Sequence, residues 1–184
     1  MPALDELPDD VRERIEAVGE KTGFVPNVFL ALARRPAEFR AFVAYHDALM
    51  DKETPGLGKA DREMIVVATS AANDCTYCVV AHGAILRIRA KDPLVADQVA
   101  INHRQADITP RQRAMLDFAL RVAISPATVE DVHLEELAQH GFDADDVWDI
   151  GAIAGFFAMS NRFAHVTALR PNPEFHLLGR VPRT

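Results

Sequence analysis

The sequence predicts an all-α, multihelical protein, and three features support this fold class. Apolar residues recur at helical spacing along most of the 184 residues. Few segments combine β-branched residues with the strict alternation that is typical of strands. Prolines and glycines gather between the periodic segments, as in residues 51–58. Together these patterns indicate helices joined by short loops.

The expected helices follow one another along the chain. Asp9 or Asp10 can cap the first helix, Pro36 can begin the third, and Asp92-Pro93 can open the sixth. Residues 170–184 contain three prolines and a glycine, so we expect an extended tail there. The expected helices span residues 9–21, 28–34, 36–50, 59–72, 75–89, 92–103, a segment from 110, a segment between 126 and 141, and 145–169.

Residues 63–86 align with residues 146–169 at a constant offset of 83. In this alignment Asp146 corresponds to Glu63 and His165 corresponds to His82. The two cysteines of the first segment have no cysteine counterpart in the second. We interpret the match as a duplicated helical unit, and two unrelated buried helices are the alternative. The expected organisation is a redox-active half with an N-terminal helical arm (1–106), a second half without thiols (107–170) and the tail (171–184).

Composition excludes several classes of protein. The chain is 49% hydrophobic and 26% charged, and its mean hydropathy is −0.03, as in globular proteins. The longest apolar runs, such as residues 150–159, are too short to span a bilayer. A net charge of −7 disfavours nucleic acid as the main partner. Residues 1–10 lack the basic and apolar regions of a signal peptide, so we expect a cytoplasmic protein.

The most informative motif holds the only two cysteines, Cys75 and Cys78. His82 follows four residues after Cys78, and Glu63 precedes Cys75 by twelve. On a helix that begins after residue 74, both thiols and the imidazole lie within about 60° of one another around the axis. In a reducing compartment, such a pair favours catalysis or metal binding over a structural disulfide.

The motif predicts an activated dithiol. An N-cap at Asn73 or Asp74 would place both cysteines near a helix N-terminus, where the dipole favours a thiolate. His82 could accept the proton of Cys78, and Glu63 could orient His82. The second step requires a break at residues 73–74, because one straight helix would hold Glu63 about 18 Å from Cys75.

The spacing also predicts roles for the two thiols. Proximity to His82 makes Cys78 the attacking thiol, which a hydroperoxide oxidises to a sulfenic acid. Cys75 then condenses with it to a disulfide. We expect no cofactor and no metal, but an external dithiol or protein reductant must restore the thiols.

Other interpretations of these residues stay open. The pair could bind zinc with His82 and a further ligand, or could consist of two structural buried thiols. Glu63 could be a solvated helix residue. His82 and His165 could be hydrogen-bonded core histidines, which is the favoured interpretation for His165. The aromatic residues are expected in the core or at a subunit interface; they are Phe24, Phe29, Trp148, Phe156 and Phe157.

At this motif the sequence resembles the alkylhydroperoxidase D and carboxymuconolactone decarboxylase superfamily, in particular its peroxidase-related proteins. The resemblance also includes residues 23–28, the Asn161-Arg162 pair and residues 172–180. It implies an all-helical fold of two similar halves that forms homo-oligomers. It also implies a peroxidatic Cys78, a resolving Cys75, and Glu63 and His82 as the proton relay.

The sequence departs from this family in two respects. Tyr77 stands where the family has a histidine between the cysteines, and a neutral phenol cannot replace that base. The motif also lies in the first half of the chain rather than the second.

A cofactor-free decarboxylase-like enzyme and a redox-responsive binding protein on the same fold are the alternative functions. Apolar segments such as Val28–Leu32 and Phe156-Phe157 favour a homo-oligomer.

Overall fold

The computed structural model describes residues 4–180, which form nine α-helices, four short 3₁₀ turns and no strand. The all-α prediction is confirmed. The helices are α1 (Asp9–Thr22), α2 (Asn27–Leu32), α3 (Pro36–Met50), α4 (Lys59–Ala72), α5 (Thr76–Ala90), α6 (Val95–Asn102), α7 (Pro110–Ile124), α8 (Asp131–Gln139) and α9 (Ala144–Val166). The segment expected between 126 and 141 divides into a 3₁₀ turn, Pro126–Thr128, and α8.

Helix α4 is the centre of the fold. Every residue from 62 to 70 is buried, so this helix presents no polar face to water over its middle turns. It packs against α5, α7 and α9, and the largest apolar core cluster joins its side chains to those of α7 and α9. A helix enclosed in this way places its polar residues in the interior, where each needs a partner.

Arg62 is one such residue and links α4 to α9. Its guanidinium is completely buried; Nη2 donates to Asp149 Oδ2 over 2.8 Å, and Nη1 donates to the Leu49 carbonyl over 2.9 Å. Lys52 Nζ reaches the other oxygen of Asp149 at 2.7 Å. The buried carboxylate therefore has two cationic partners, which offsets the cost of removing it from water.

The two segments that align at an offset of 83 differ in local structure. Residues 63–86 form a helical hairpin, α4 and α5, whereas residues 146–169 lie almost entirely on the uninterrupted helix α9. The predicted boundary at 106/107 falls in the loop before α7. One core cluster nevertheless includes buried side chains from both sides of that boundary, among them Ile65 and Ile153. The division into two halves therefore stays a prediction.

The C-terminal tail is not extended, contrary to the expectation. Within the described residues it contains a 3₁₀ turn, Pro173–His176, followed by a further turn. The buried Arg87 of α5 holds it: Nη2 donates to the Phe175 carbonyl and Nε to the Leu178 carbonyl, each over 2.9 Å. Compact turns bring both carbonyls to one guanidinium, which a straight strand would not. Residues 181–184 of the expected tail lie outside the described residues.

The tail also fixes the N-terminal arm. Asn172 Oδ1 accepts a hydrogen bond from the Asn27 backbone N–H over 2.8 Å, and its Nδ2 donates to the Val25 carbonyl over 2.9 Å. Phe175 packs edge-to-face on Phe24, with ring centroids 4.9 Å apart. These contacts position α2 beside the cysteine helix. No helix among residues 4–180 has the length and apolar character needed to cross a membrane.

Candidate functional site

The break between α4 and α5 occurs where the sequence predicts it. The two helices pack as a hairpin, and Asp74 adopts the left-handed conformation at φ +54°. The expected N-cap is wrong, however: Asn73 ends α4, and Cys75 itself is the N-cap residue of α5. The physical reason is that the chain turns through Asp74 at positive φ, so Cys75 is the residue that takes the extended conformation of an N-cap, at φ −86° and ψ 90°. Both cysteines still lie at the start of α5.

Cys75 and Cys78 are reduced and buried, at 1% and 2% exposure. The hydrogen bond from Cys78 lowers the pKa of Cys75 to about 6. The same hydrogen bond, together with burial, raises the pKa of Cys78. The pair therefore loses its first proton far more easily than a free thiol and holds the second one firmly.

Glu63 lies at the centre of a buried charge cluster across the hairpin. Its side chain is 2% exposed, and Oε2 lies 2.8 Å from His82 Nδ1 while Oε1 lies 2.9 Å from Arg89 Nη1. The approach of Glu63 to His82 is the one that a break at residues 73–74 makes possible. Because a carboxylate can only accept, Nδ1 carries the proton and Nε2 is left as the basic nitrogen of neutral His82.

His82 does not contact the thiols directly. Among the described residues no hydrogen bond joins its ring to either sulfur, and Cys78 Sγ lies 3.9 Å from Ser160 Oγ on α9. The His82 ring is held by Glu63 on one side and meets the Phe157 ring edge-to-face at 4.7 Å. The spacing predicted that His82 accepts the proton of Cys78 directly, and this structure shows no hydrogen bond between the two side chains. The catalytic roles of all four residues stay predictions.

Helix α9 supplies the opposite wall of the site. Asn161, aligned with Cys78 in the sequence match, donates to Ser70 Oγ over 2.9 Å, and its amide also lowers the pKa of Cys75. His165 is exposed, and its Nε2 lies 3.0 Å from the Asn73 carbonyl. Its positive form also lowers the pKa of Cys75. The interpretation of His165 as a core histidine is wrong, since α9 ends beside the cysteine turn and leaves this ring in solvent.

The family model for the carboxymuconolactone decarboxylase family matches residues 36–94, a segment that contains all four predicted site residues. A solved structure described as an alkylhydroperoxidase AhpD core, an uncharacterized peroxidase-related protein from Ralstonia eutropha JMP134, is 64% identical to this chain. The match covers 99% of this chain and 95% of that one, with a TM-score of 0.97. This chain belongs to the peroxidase-related, alkylhydroperoxidase D-like proteins of the carboxymuconolactone decarboxylase superfamily.

Two further solved structures extend the comparison. An uncharacterized peroxidase-related protein from Silicibacter sp. TM1040 is 43% identical over 96% of this chain and 92% of that one, with a TM-score of 0.91. The apo form of the debrominase Bmp8 is 20% identical over 97% and 94% of the two chains, with a TM-score of 0.76. Because the identity is only 20%, the comparison with Bmp8 supports the fold of this chain and carries no information on its function. A search of curated proteins gave no match.

Tyr77, the residue directly before Cys78, has a structural contact in this protein. The side chain is 4% exposed, and its hydroxyl oxygen accepts a hydrogen bond from the Val28 backbone N–H over 3.2 Å. Burial raises the pKa of Tyr77 above the ordinary value for a phenol, so the hydroxyl stays protonated at neutral pH. The residue therefore anchors α2 to the cysteine helix and provides no base.

Two cavities border the start of α5. The first, of about 170 Å³, is lined by Cys75, His165 and Arg170 among others, and we call it the polar cavity. The second, of about 270 Å³, is lined by side chains of α2, α3 and α9, and we call it the apolar cavity. Tyr77 borders both. The apolar lining includes Val28, Ala31, Leu32, Phe42, Phe163 and Leu169.

Sequence reasoning missed several residues of the site. Arg89 lies at the C-terminal end of α5 and returns to Glu63 only because the hairpin is antiparallel. His46 comes from α3, and its ring centroid lies 6.2 Å from that of His82. Burial and the neighbouring His82 lower the pKa of His46. For Asn161 and His165 the sequence did offer a signal, because the alignment at an offset of 83 pairs them with Cys78 and His82. Arg89 and His46 had no such signal. No group of three or more His, Cys, Asp or Glu side chains in residues 4–180 is arranged to hold a metal.

Proposed function

We propose that this protein is a thiol-dependent peroxidase that reduces hydrogen peroxide or alkyl hydroperoxides through a Cys75–Cys78 dithiol/disulfide cycle. The observation that carries the proposal is the buried, reduced pair of thiols at the start of α5, next to the Glu63–His82–Arg89 cluster. A structural thiol pair has no need of either a depressed pKa or a charge-compensated histidine nearby. The names of the two related peroxidase-related structures support the same reaction class.

In the proposed first step, Cys78 attacks the terminal oxygen of the hydroperoxide. As it does so, the shared proton passes to Cys75, which leaves the Cys78 sulfur as the thiolate nucleophile. The O–O bond breaks, Cys78 becomes a sulfenic acid, and the alkoxide takes a proton to leave as an alcohol. His82, oriented by Glu63, is the group proposed to relay that proton from solvent to the alkoxide, taking it up at Nε2 and passing it on.

In the second step Cys75 attacks the Cys78 sulfenic acid, forming a disulfide and releasing water. An external dithiol then reduces the disulfide by thiol–disulfide exchange. The polar cavity supports attack on Cys75, because this residue lines it together with His165 and Arg170. Cys78 would leave as the thiolate and be ready for another peroxide.

The test is catalytic consumption of an organic hydroperoxide by the reduced protein in the presence of a small dithiol. We expect turnover in the wild type and none in Cys78→Ser or Cys75→Ser. Glu63→Gln should lower the rate by about a hundredfold, in the usual range for a lost general acid–base arrangement. Arg104→Gln, which removes the exposed arginine that pairs with Asp117, is the control.

The alternatives give different outcomes in the same experiment. A redox-responsive binding protein would be oxidised once and would not turn over with any dithiol. A decarboxylase-like enzyme would keep its activity in a Cys75→Ser/Cys78→Ser variant. Either outcome would contradict the proposed peroxidase.

A further inference from the structure

The apolar cavity has a chemical character that neither the thiols nor the relay accounts for. Its wall is apolar over α2 and α9, but three charged side chains also line it: Arg34, Arg35 and Glu38. Two positive charges against one negative leave a net charge of +1 at this cavity, whereas the whole chain carries −7. A local excess of arginine on an acidic protein favours an anion at that place.

Within the described part of the chain, neither arginine is held by a buried partner. Both are exposed, and therefore lie at the mouth of the cavity. Arg34 has no ion pair among residues 4–180, while Arg35 pairs with Glu38 one turn along the chain. That pair is largely exposed to water, with side chains 74% and 51% accessible. Such a pair contributes little and can exchange its partner for a ligand carboxylate.

The other end of the cavity approaches the cysteine helix, although neither cysteine is among the residues that line it. Ser160 and Tyr77 line it and are nearly buried, at 7% and 4% exposure. Ser160, which lines the cavity, has its Oγ 3.9 Å from Cys78 Sγ, so a hydroperoxide bound beside this hydroxyl would lie next to the sulfur. Between the arginines and Ser160 the wall is formed by apolar side chains such as Leu32 and Phe163.

We propose that the apolar cavity binds organic hydroperoxides that carry a carboxylate, with the carboxylate on Arg34 and Arg35, the hydrocarbon along α2 and α9, and the hydroperoxide at Ser160. The inference rests on the peroxidase function proposed above and names its substrate class. The reaction itself is unchanged: the O–O bond breaks, Cys78 takes one oxygen, and the product is the hydroxy acid. Hydrogen peroxide would use the same sulfur without the benefit of this cavity.

Binding is tested first with compounds that do not react. Isothermal titration of the reduced protein compares 4-isopropylbenzoate with 4-isopropylbenzamide, which share shape and differ in charge. We expect the carboxylate to bind at least about fivefold more tightly. Arg34→Gln/Arg35→Gln should abolish that preference, and Glu38→Gln should increase it, because Arg35 loses its competing partner. Equal affinities for the two compounds in the wild type would overturn the inference.

A control variant separates the local effect from the overall charge. Arg104→Gln/Arg121→Gln removes the same number of positive charges from side chains that pair with Asp117 and Thr128 instead of lining the cavity. We expect it to keep the full preference for the carboxylate. A loss of preference as large as in Arg34→Gln/Arg35→Gln would mean that net charge, rather than the cavity, attracts the anion, which would also overturn the inference.

Single-turnover oxidation then separates this inference from the proposed function. The reduced protein reacts with cumene hydroperoxide or with its para-carboxylate, and disulfide formation is followed by mass. We expect the carboxylate to react about fivefold faster at low concentration, and equally in Arg34→Gln/Arg35→Gln. Equal rates in the wild type would overturn the inference and leave the peroxidase intact. Two inert hydroperoxides together with selective benzoate binding would instead overturn the peroxidase and leave the anion-binding cavity.

Discussion

At the scale of single residues, the chemistry depends on the proton that Cys75 and Cys78 share. Cys78 donates its S–H to Cys75, and this stabilises the Cys75 thiolate while it makes the Cys78 proton harder to remove. The two pKa directions therefore favour the thiolate at Cys75, the N-cap residue, and the protonated thiol at Cys78, the residue proposed to attack. A proton transfer over one hydrogen bond exchanges the two states, so both assignments describe one coupled pair.

A titration of the thiolate tests this coupling. In the reduced wild type we expect thiolate absorbance to appear with a midpoint near a pKa of about 6. In Cys78→Ala the donor is lost, so the midpoint should move toward about 8.5, the ordinary value for cysteine. Cys78→Ser, which retains a hydroxyl donor, should fall between the two. A wild-type midpoint at the ordinary value would contradict the shared proton.

The same pKa shift predicts how stability changes with pH. The pKa of Cys75 is lower in the folded protein than in the unfolded chain. Between pH about 6 and about 8.5 the unfolded state therefore binds more protons, and the free energy of unfolding rises with pH. This contribution is complete above the unfolded pKa and is lost as the pH falls through the folded one.

Several site residues were predictable from sequence spacing, and others were not. The Cys-x-x-Cys pair, His82 and Glu63 were predictable because their placement depends on one hairpin between neighbouring helices. Arg89 was not, since its contact with Glu63 depends on the angle at which α5 returns along α4. Ser160 comes from a helix distant in the chain, and spacing carries no information about such contacts.

At the scale of helices, the site depends on the turn that separates α4 from α5. Asp74 is the residue in the left-handed conformation there, and the Cys75 N–H donates to the Ser70 carbonyl over 2.9 Å. Asparagine and aspartate tolerate this conformation better than other side chains. The aligned residues of α9 show no such interruption, so sequence similarity between the two segments did not predict their local structure.

Substitution of Asp74 tests the importance of this turn. Asp74→Val should lower the free energy of unfolding by about 2 kcal/mol, because a β-branched side chain is strained at positive φ. Asp74→Gly has no side chain to be strained at positive φ, so it should change the free energy of unfolding by less than about 1 kcal/mol. Urea denaturation of the reduced protein measures both. Lys91→Gly, at the other turn with φ near +55°, is the control at a site remote from the thiols. Equal effects of valine and glycine at position 74 would contradict this account.

At the scale of the whole molecule, the two predicted halves share one interior. Arg62 of the first half holds Asp149 of the second inside the core, and the apolar side chains of α4 contact those of α7 and α9. Phe156 and Phe157 are core residues, so they do not support the predicted homo-oligomer. Trp148 and Ile101 are exposed at 74% and 85%, and self-association stays a prediction that these surfaces favour.

A shared interior predicts cooperative unfolding. We expect the reduced protein to lose helicity and near-ultraviolet aromatic signals in one transition, with coincident midpoints. Arg62→Met should shift that single transition to lower denaturant, because Asp149 loses a buried partner; the cost is about 3 kcal/mol. Two separated transitions would show instead that residues 1–106 and 107–170 unfold independently.

The most direct test of the central claim is intact-mass analysis of the reduced protein after a single equivalent of an organic hydroperoxide. The account predicts loss of two hydrogen atoms in the wild type, as a disulfide forms between Cys75 and Cys78. Cys75→Ser should retain one added oxygen as a sulfenic acid on Cys78, and Cys78→Ser should not react. Thiols that stay unchanged in the wild type would contradict the peroxidase, and a sulfenic acid on Cys75 in Cys78→Ser would reverse the two roles.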